Sequence, residues 1–306
     1  MPVAKRGWSW GVLWVFKNLR NEARIFFWLH TAGPLLIKGP DQPGLDPLLP
    51  DMRFIRAWHN GREVPYIPGS SLKGVLRSRA EQVIRALAPE GMTIPDPFQQ
   101  GRDKEMKDKP GCYRYYASDP VTQLFGQTYL AGRLRCADAF PVENKPLILN
   151  ERNHVAINRI TGATQGKALF NPEVVEEGTF AAEISLTNFA VWQLKLLGLL
   201  LQDLDDGFLL LGGGTTRGYG RVRVENARVL VRDYRHDPPA EILRGYESDD
   251  VVTLSGCHYN SMGYCWEVTF DGFKWLLELE VDLADTLKKL HRKQREVQQK
   301  RVNHGG

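Results

Sequence analysis

The residues best suited to chemistry stand in two glycine-rich stretches. Residues 65–77 read Pro-Tyr-Ile-Pro-Gly-Ser-Ser-Leu-Lys-Gly-Val-Leu-Arg, and residues 212–223 read Gly-Gly-Gly-Thr-Thr-Arg-Gly-Tyr-Gly-Arg-Val-Arg. The first is a turn that opens a helix, and the second is a loop that opens a strand. Both are expected to expose backbone N–H groups beside cations. Ser70, Ser71, Lys73 and Arg77 do this in the first, and Gly213, Gly214, Arg217, Tyr219 and Arg221 in the second. Amides and cations together suit phosphate. Gly-Ser-Ser-Leu-Lys-Gly does not align on a Walker A loop, and the later stretch lacks the third glycine of a dinucleotide fingerprint. The plainer alternative is that these glycines only form turns and caps.

Two further groups could carry chemistry. Asp41, Asp46 and Asp51 lie in or beside a Pro- and Gly-rich loop at 39–51, where a lone aspartate is most often a turn residue. His30 ends the first strand and His59 lies near the first turn; together they could form a metal-free acid/base pair, although each is more readily a core or surface histidine. The four cysteines, Cys112, Cys136, Cys257 and Cys265, form no Cys-x-x-Cys pair and read as free thiols.

The elements that must position these groups follow from hydrophobic period. Arg24–Lys38 is β-like. A helix starting near Ser70 or Ser71, either of which could cap it, runs through Leu72, Val75, Leu76, Ala80, Val83, Ile84 and Leu87. Strands are expected at Arg133–Phe140 and Thr179–Leu186, then a helix over Asn188–Asp206, then Phe208–Leu211 and Gly220–Arg232 as the last strand. The order strand, helix, strand, strand, helix, strand gives an α+β fold with a ferredoxin-like (RRM-like) core. Long insertions interrupt it at about 89–120 and 150–178. The second insertion contains Arg152, His154 and Arg159 and could be a protruding hairpin. Residues 1–232 form the core. Residues 233–306 form a C-terminal extension with a β-like stretch at Trp275–Val281 and a final helix from Leu283, where Lys288–Arg301 contains seven Lys or Arg and one Glu.

Composition narrows the class. The chain has 306 residues, 42% hydrophobic and 25% charged, enough for a full core. A net charge of +4 does not by itself indicate nucleic acid, so local clustering carries that argument. The stretch nearest in length to a membrane span, Leu194–Leu211, is broken by Gln202, Asp203, Asp205 and Asp206. No membrane partner is expected, and the expected location is cytoplasmic.

In that order along the chain, the two glycine-rich stretches resemble the RAMP superfamily of CRISPR systems, and more narrowly the backbone subunits of type III RNA-targeting effector complexes. The resemblance covers roughly residues 24–232. It implies guide-RNA and target-RNA binding through the two loops, with neighbouring RAMP subunits and a polymerase-like large subunit as partners. In such subunits the loop before Pro-Tyr-Ile-Pro-Gly-Ser carries a catalytic aspartate, a few residues ahead of an apolar-basic run. The matching run here is Asp51-Met52-Arg53-Phe54-Ile55-Arg56, so Asp51 is the first choice and Asp46 and Asp41 are the alternatives. Met52-Arg53 stands where the family often has Ser-Pro or Asn-Pro. RNA supplies its own nucleophile, the 2′-hydroxyl, so one carboxylate and a divalent ion, Mg or Mn, could suffice for cleavage. Some relatives hold zinc in the first insertion. Here that insertion retains only Cys112, and zinc is not expected. The second insertion would be a thumb hairpin with Ile160 or Phe170 as an apolar wedge. The competing readings are a non-catalytic binding subunit of the same fold, a histidine-based ribonuclease that processes precursor RNA, and a protein-interaction domain whose glycine loops serve only folding.

Overall fold

The computed structural model describes residues 18–40, 52–96 and 102–302, with backbone only at 102–104, 164–170 and 300–302. Asp41, Asp46 and Asp51 lie outside the described residues.

Strand β1 (Asn21–Thr31) alternates strictly. Ala23, Ile25, Phe27 and Leu29 are buried, while Arg24, Phe26, Trp28 and His30 face the more open side. A hairpin follows, β2 (Arg56–His59) and β3 (Arg62–Pro65), turned by Asn60-Gly61 with both residues at positive φ. That Asn-Gly pair is a strong hairpin signal that the sequence reading passed over. Helix α1 (Gly69–Leu87) buries Leu72, Leu76, Ala80 and Ile84, one residue per turn. The alternating charges of the first insertion suit a solvated loop or a short helix, and the structure takes the helical form. The insertion folds into three short helices, α2 (Arg102–Lys107), α3 (Gly111–Ala117) and α4 (Pro120–Phe125). Met106 and Tyr115 are buried there in a small satellite core.

The expected strand at Arg133–Phe140 is split into β4 (Leu134–Cys136) and β5 (Phe140–Pro141). Then come β6 (Leu147–Glu151), the hairpin β7 (His154–Ile157) with β8 (Thr164–Phe170), and the long β9 (Glu173–Thr187). Helix α5 (Val191–Asp206) buries ten residues, and its C-cap Gly207 takes the left-handed conformation (φ 81°) that glycine adopts without strain. Strand β10 (Val222–Asp233) is preceded by the glycine-rich loop. Phe208–Leu211, expected to be part of the last strand, is irregular. The C-terminal region adds β11 (Ile242–Arg244), β12 (Val251–Thr253), β13 (Asn260–Ser261), β14 (Trp266–Asp271), α6 (Trp275–Glu278) and α7 (Leu283–Val302). Trp275–Val281, expected as β-like, is helical at its start, with Leu276 buried against α5 through Gly198.

The main sheet runs β13-β14-β10-β1-β9-β4, with β5 and β6 also paired to β9. Its pairings are antiparallel, and Ile25 sits between Ile184 and Val229. Two β-α-β passes are each split by a strand between them: β1-α1-β4 encloses β9, and β9-α5-β10 encloses β1. The chain is thus α+β. Leu72 and Leu76 of α1 and Leu196, Leu197 and Leu200 of α5 share one core with Ile25, Phe27 and Ile184 of the sheet. Residues beyond 233 are not a separate layer, since β14 extends the same sheet through Val231 opposite Val268.

Candidate nucleic-acid interface

The two glycine-rich stretches meet at one cleft of about 420 Å³. Ser71 from the first stretch and Gly213, Gly214 and Arg217 from the second line it, together with Leu36, Lys38, Met52, His154, Pro172 and Tyr219. Three chain segments build it. The segment after β1 is stitched to the glycine loop by Gly213 N–H to Leu36 O (2.8 Å) and Gly220 N–H to Pro34 O (2.8 Å). The segment at Met52 is held to β9 by Glu173 N–H to Met52 O at 2.8 Å. A bidentate pair then locks that segment, with Arg56 Nη2 to Glu173 Oε1 at 2.6 Å and Arg56 Nη1 to Glu173 Oε2 at 2.8 Å. Glu173 also accepts from the Phe54 amide. Burial pushes the Glu173 carboxyl up, but the bonds from Arg56 and Phe54 outweigh it and leave the value below normal.

The glycine loop depends on its glycines. A Cβ at Gly212 would come within 2.1 Å of Leu36 O, and one at Gly220 within 2.2 Å of Leu211 O, both at positive φ. Gly214 (φ 73°) and Gly218 (φ 84°) flank a single 3-10 turn at Thr215–Arg217. Arg217 N–H bonds back to Gly214 O at 2.8 Å. The amides of Gly214, Thr215 and Thr216 have no acceptor among the described residues. Successive amides after a left-handed residue form a concave donor set suited to an anion, and Arg217 is exposed beside it.

The first stretch behaves differently. Helix α1 begins at Gly69, and neither Ser70 nor Ser71 caps it. Its first amide, of Gly69, donates instead to Asp138 Oδ1 at 2.7 Å. Ser71 N–H and Leu72 N–H are both taken by Pro68 O. The expected row of exposed amides is therefore mostly consumed. The cations fare better. Lys73 is half-buried and has no hydrogen-bond or ion-pair partner among the described residues. Burial lowers its pKa, and the neighbouring Arg77 and Arg135 add to that, against the Cys136 thiol. Burial raises that thiol to about 12, so it is neutral and does not offset the charge.

Several expected contact residues have other duties. Arg77 donates to Gly126 O (2.9 Å), Gln127 Oε1 (3.3 Å) and Glu81 Oε1 (3.2 Å), and so ties α1 to the end of α4. Tyr219 is 2% exposed, packs beneath Gly214 and bonds His154 Nε2 through its hydroxyl at 2.6 Å; it supports the loop and offers no free ring face for stacking. Arg221 lies against Gly207 at the end of α5, away from the cleft lining, and Ser70 is exposed but also outside it. Arg159 sits at the exposed tip of the β7–β8 hairpin beside Ile160, which is 95% exposed. His30 bonds Thr179 Oγ1 at 3.0 Å, and His59 stacks on Phe140 at 3.9 Å; neither lines the cleft. The sequence reading missed Lys38 and the apolar floor of Leu36 and Pro172. Only their place in space marks them.

The four cysteines are free thiols, and no group of three or more His, Cys, Asp or Glu that could hold a metal stands together among the described residues. No helix of the described residues is long and apolar enough to cross a membrane.

Comparison with known proteins fits this geometry. A protein of Methanothermobacter thermautotrophicus described as CRISPR system Cms endoribonuclease Csm3 is 28% identical over 210 residues, which cover 62% of this chain and 76% of that protein. A family model described as the RAMP superfamily matches residues 28–223, a span that begins in β1, ends in β10 and contains both glycine-rich stretches. With that match over more than half its length, the chain belongs to the RAMP superfamily.

Proposed function

We propose that this protein is a backbone subunit of a type III CRISPR effector complex, which holds guide RNA and cuts the target RNA paired with it. The observation that carries the proposal is the convergence of Ser71 and the Gly213–Arg217 loop on one cleft in a chain of the RAMP superfamily. The similarity to a protein described as a Csm3 endoribonuclease supports the type III assignment.

In this reading the amides of Gly214, Thr215 and Thr216 and the Arg217 guanidinium bind a phosphate of the guide. Lys73, held between Arg77 and Arg135 without a counter-ion, takes a second one. Leu36, Met52 and Pro172 give the sugar and base an apolar floor. The exposed Ile160 at the hairpin tip would wedge between bases. Neighbouring RAMP subunits and a polymerase-like large subunit would complete the assembly, with different faces of the chain meeting its two neighbours.

Cleavage is assigned to Asp51, with Asp46 and Asp41 as alternatives. The described lining of the cleft carries no carboxylate, so it does not fit a divalent cation by itself. A Mg or Mn ion would be held by the aspartate and the RNA phosphate, where it would supply charge stabilisation for the departing oxygen. The protein's own part is positional. By fixing the phosphates on either side, it turns one nucleotide so that its 2′-oxygen lies in line with the 5′-oxygen that leaves.

The test uses the assembled complex with labelled target RNA, magnesium or manganese, and then EDTA. Asp51→Ala is expected to abolish cutting while leaving guide and target binding within about twofold, because binding draws on many phosphate contacts. Loss of cutting on Asp46→Ala or Asp41→Ala instead would move the assignment along the loop. Undiminished cutting in all three variants and in EDTA would overturn the metal–aspartate reading.

A further inference from the structure

Helix α7 lies beyond the residues matched by the family and is not a loose basic tail. Leu287 is 2% exposed, and Leu283 and Leu290 pack on the main core. Gln294 Nε2 donates to Ala117 O at 3.0 Å, and Lys293 bonds Glu247 while lying over the Tyr116 ring at 4.2 Å. One face of the helix is thus fixed to the fold.

The opposite face carries Lys288, Arg292 and Arg295, at i, i+4 and i+7, so that all three point along one stripe about one turn apart. All three are exposed, and none has a hydrogen-bond or ion-pair partner among the described residues. By contrast Lys289 is paired with Asp285. The three line a shallow cleft of about 340 Å³ with Pro89, His291 and Gln299, where the carboxylate of Glu296 is the one acidic group against three cations. Lys288 and Arg292 also act on Asp285 at longer range. A second cleft of about 440 Å³ on the flank of the helix is lined by Thr93, His291 and Arg295, with Gln294 and Gln298, whose amides already donate to Ala117 O.

We infer that this stripe is a second RNA-binding surface, which grips the phosphates of a single strand independently of the glycine-loop cleft. Three unpaired cations in a row on a rigid helix match a polyanion. The alternative occupant, an acidic face of another protein, fits less well. Protein interfaces centre on buried aromatic or aliphatic anchors, whereas nucleic-acid interfaces are polar and strongly positive. Large exposed hydrophobic residues occur elsewhere on the molecule, such as Trp58, Ile160 and Phe208, but none is among the described side chains of α7. The two clefts share no lining residue with the cleft at the glycine loop.

The experiment measures binding of the full chain to an unstructured fluorescent RNA across a salt series. Folding of each variant is confirmed by circular dichroism and thermal melting. The triple variant K288Q/R292Q/R295Q is expected to reduce the magnitude of the log–log salt slope by about 2, from three contacts at roughly 0.7 each. Lys289→Gln, which removes an already paired charge, should change it little. Cross-linking with 4-thiouridine RNA should map to α7 in the wild type and in Arg217→Ala, and should disappear from α7 in the triple variant. An unchanged slope with no α7 cross-link would overturn the inference whatever happens at the glycine loop. Loss of a co-purifying protein partner with an unchanged RNA slope would also overturn it, and would assign the stripe to a protein contact. Loss of cross-links at the glycine loop alone would count against the proposed function and leave this surface standing.

Discussion

At Gly69 and at Gly212 an added Cβ would strike a carbonyl oxygen, Cys136 O at 2.3 Å and Leu36 O at 2.1 Å, yet the amides beside the two glycines end differently. At the start of α1 the glycine lets the helix abut the segment after β4, and Asp138 then takes the free amide. Helix α5 repeats the device, with Asp250 Oδ2 accepting from Val191 N–H at 2.9 Å. In the glycine loop, next to left-handed glycines, the amides of Gly214, Thr215 and Thr216 have no acceptor among the described residues. A helix N-terminus attracts anions, and a carboxylate of the protein itself satisfies that attraction as well as a phosphate would. Under the proposed function, the second stretch would meet RNA through its backbone and the first through Lys73.

The largest effect that would break this comparison is expected at Gly212. Gly212→Ala combines a left-handed φ of 74° with a backbone clash. It should cost about 3 kcal/mol in denaturant unfolding and at least about tenfold in RNA affinity. A well-tolerated alanine would show that the loop is not held as described.

Asp250→Asn tests the capping carboxylates. Burial raises Asp250 to about 6, so the folded state holds its proton more tightly than the unfolded chain does. The native carboxylate therefore weakens folding as pH rises from the ordinary value near 4 to about 6, and the amide variant escapes this while keeping an acceptor for Val191. The variant is expected to match the wild type at the acid end and to exceed it by about 2 kcal/mol at pH 7. Parallel stability curves for the two proteins would contradict the assignment.

Asp138→Ala should cost about 1 kcal/mol as a lost cap and leave RNA affinity unchanged. Tighter RNA binding in this variant would mean that α1 offers a phosphate site that Asp138 masks. The finest test is a set of salt slopes. Arg217→Ala and Lys73→Ala should each reduce the magnitude by about 0.7, whereas Arg77→Ala should not, because its guanidinium already serves Gly126 and Glu81.

Local order determined much of the fold. Strict alternation in β1 and helical spacing in α1 and α5 leave few choices of element or buried face, and the resulting order of elements already specified α+β. Where two or three residues decide, the pattern failed. Ala137–Ala139 interrupt an apparent strand, and in the first insertion, where alternating charges left loop and short helix undecided, helices close over Met106 and Tyr115. The candidate site was legible as two motifs, because glycines needed for close approach and left-handed turns cannot be replaced by other residues. Which amides stay open was not legible. That depends on Asp138, Leu36 and Pro34, partners brought in by the tertiary fold and absent from the motifs themselves. The same holds for the cations. The sequence lists Lys73, Arg77, Arg217 and Lys288 as equals, but only the folded chain decides which of them meet a carboxylate or carbonyl first, because pairing is set by distance in space and desolvation by burial.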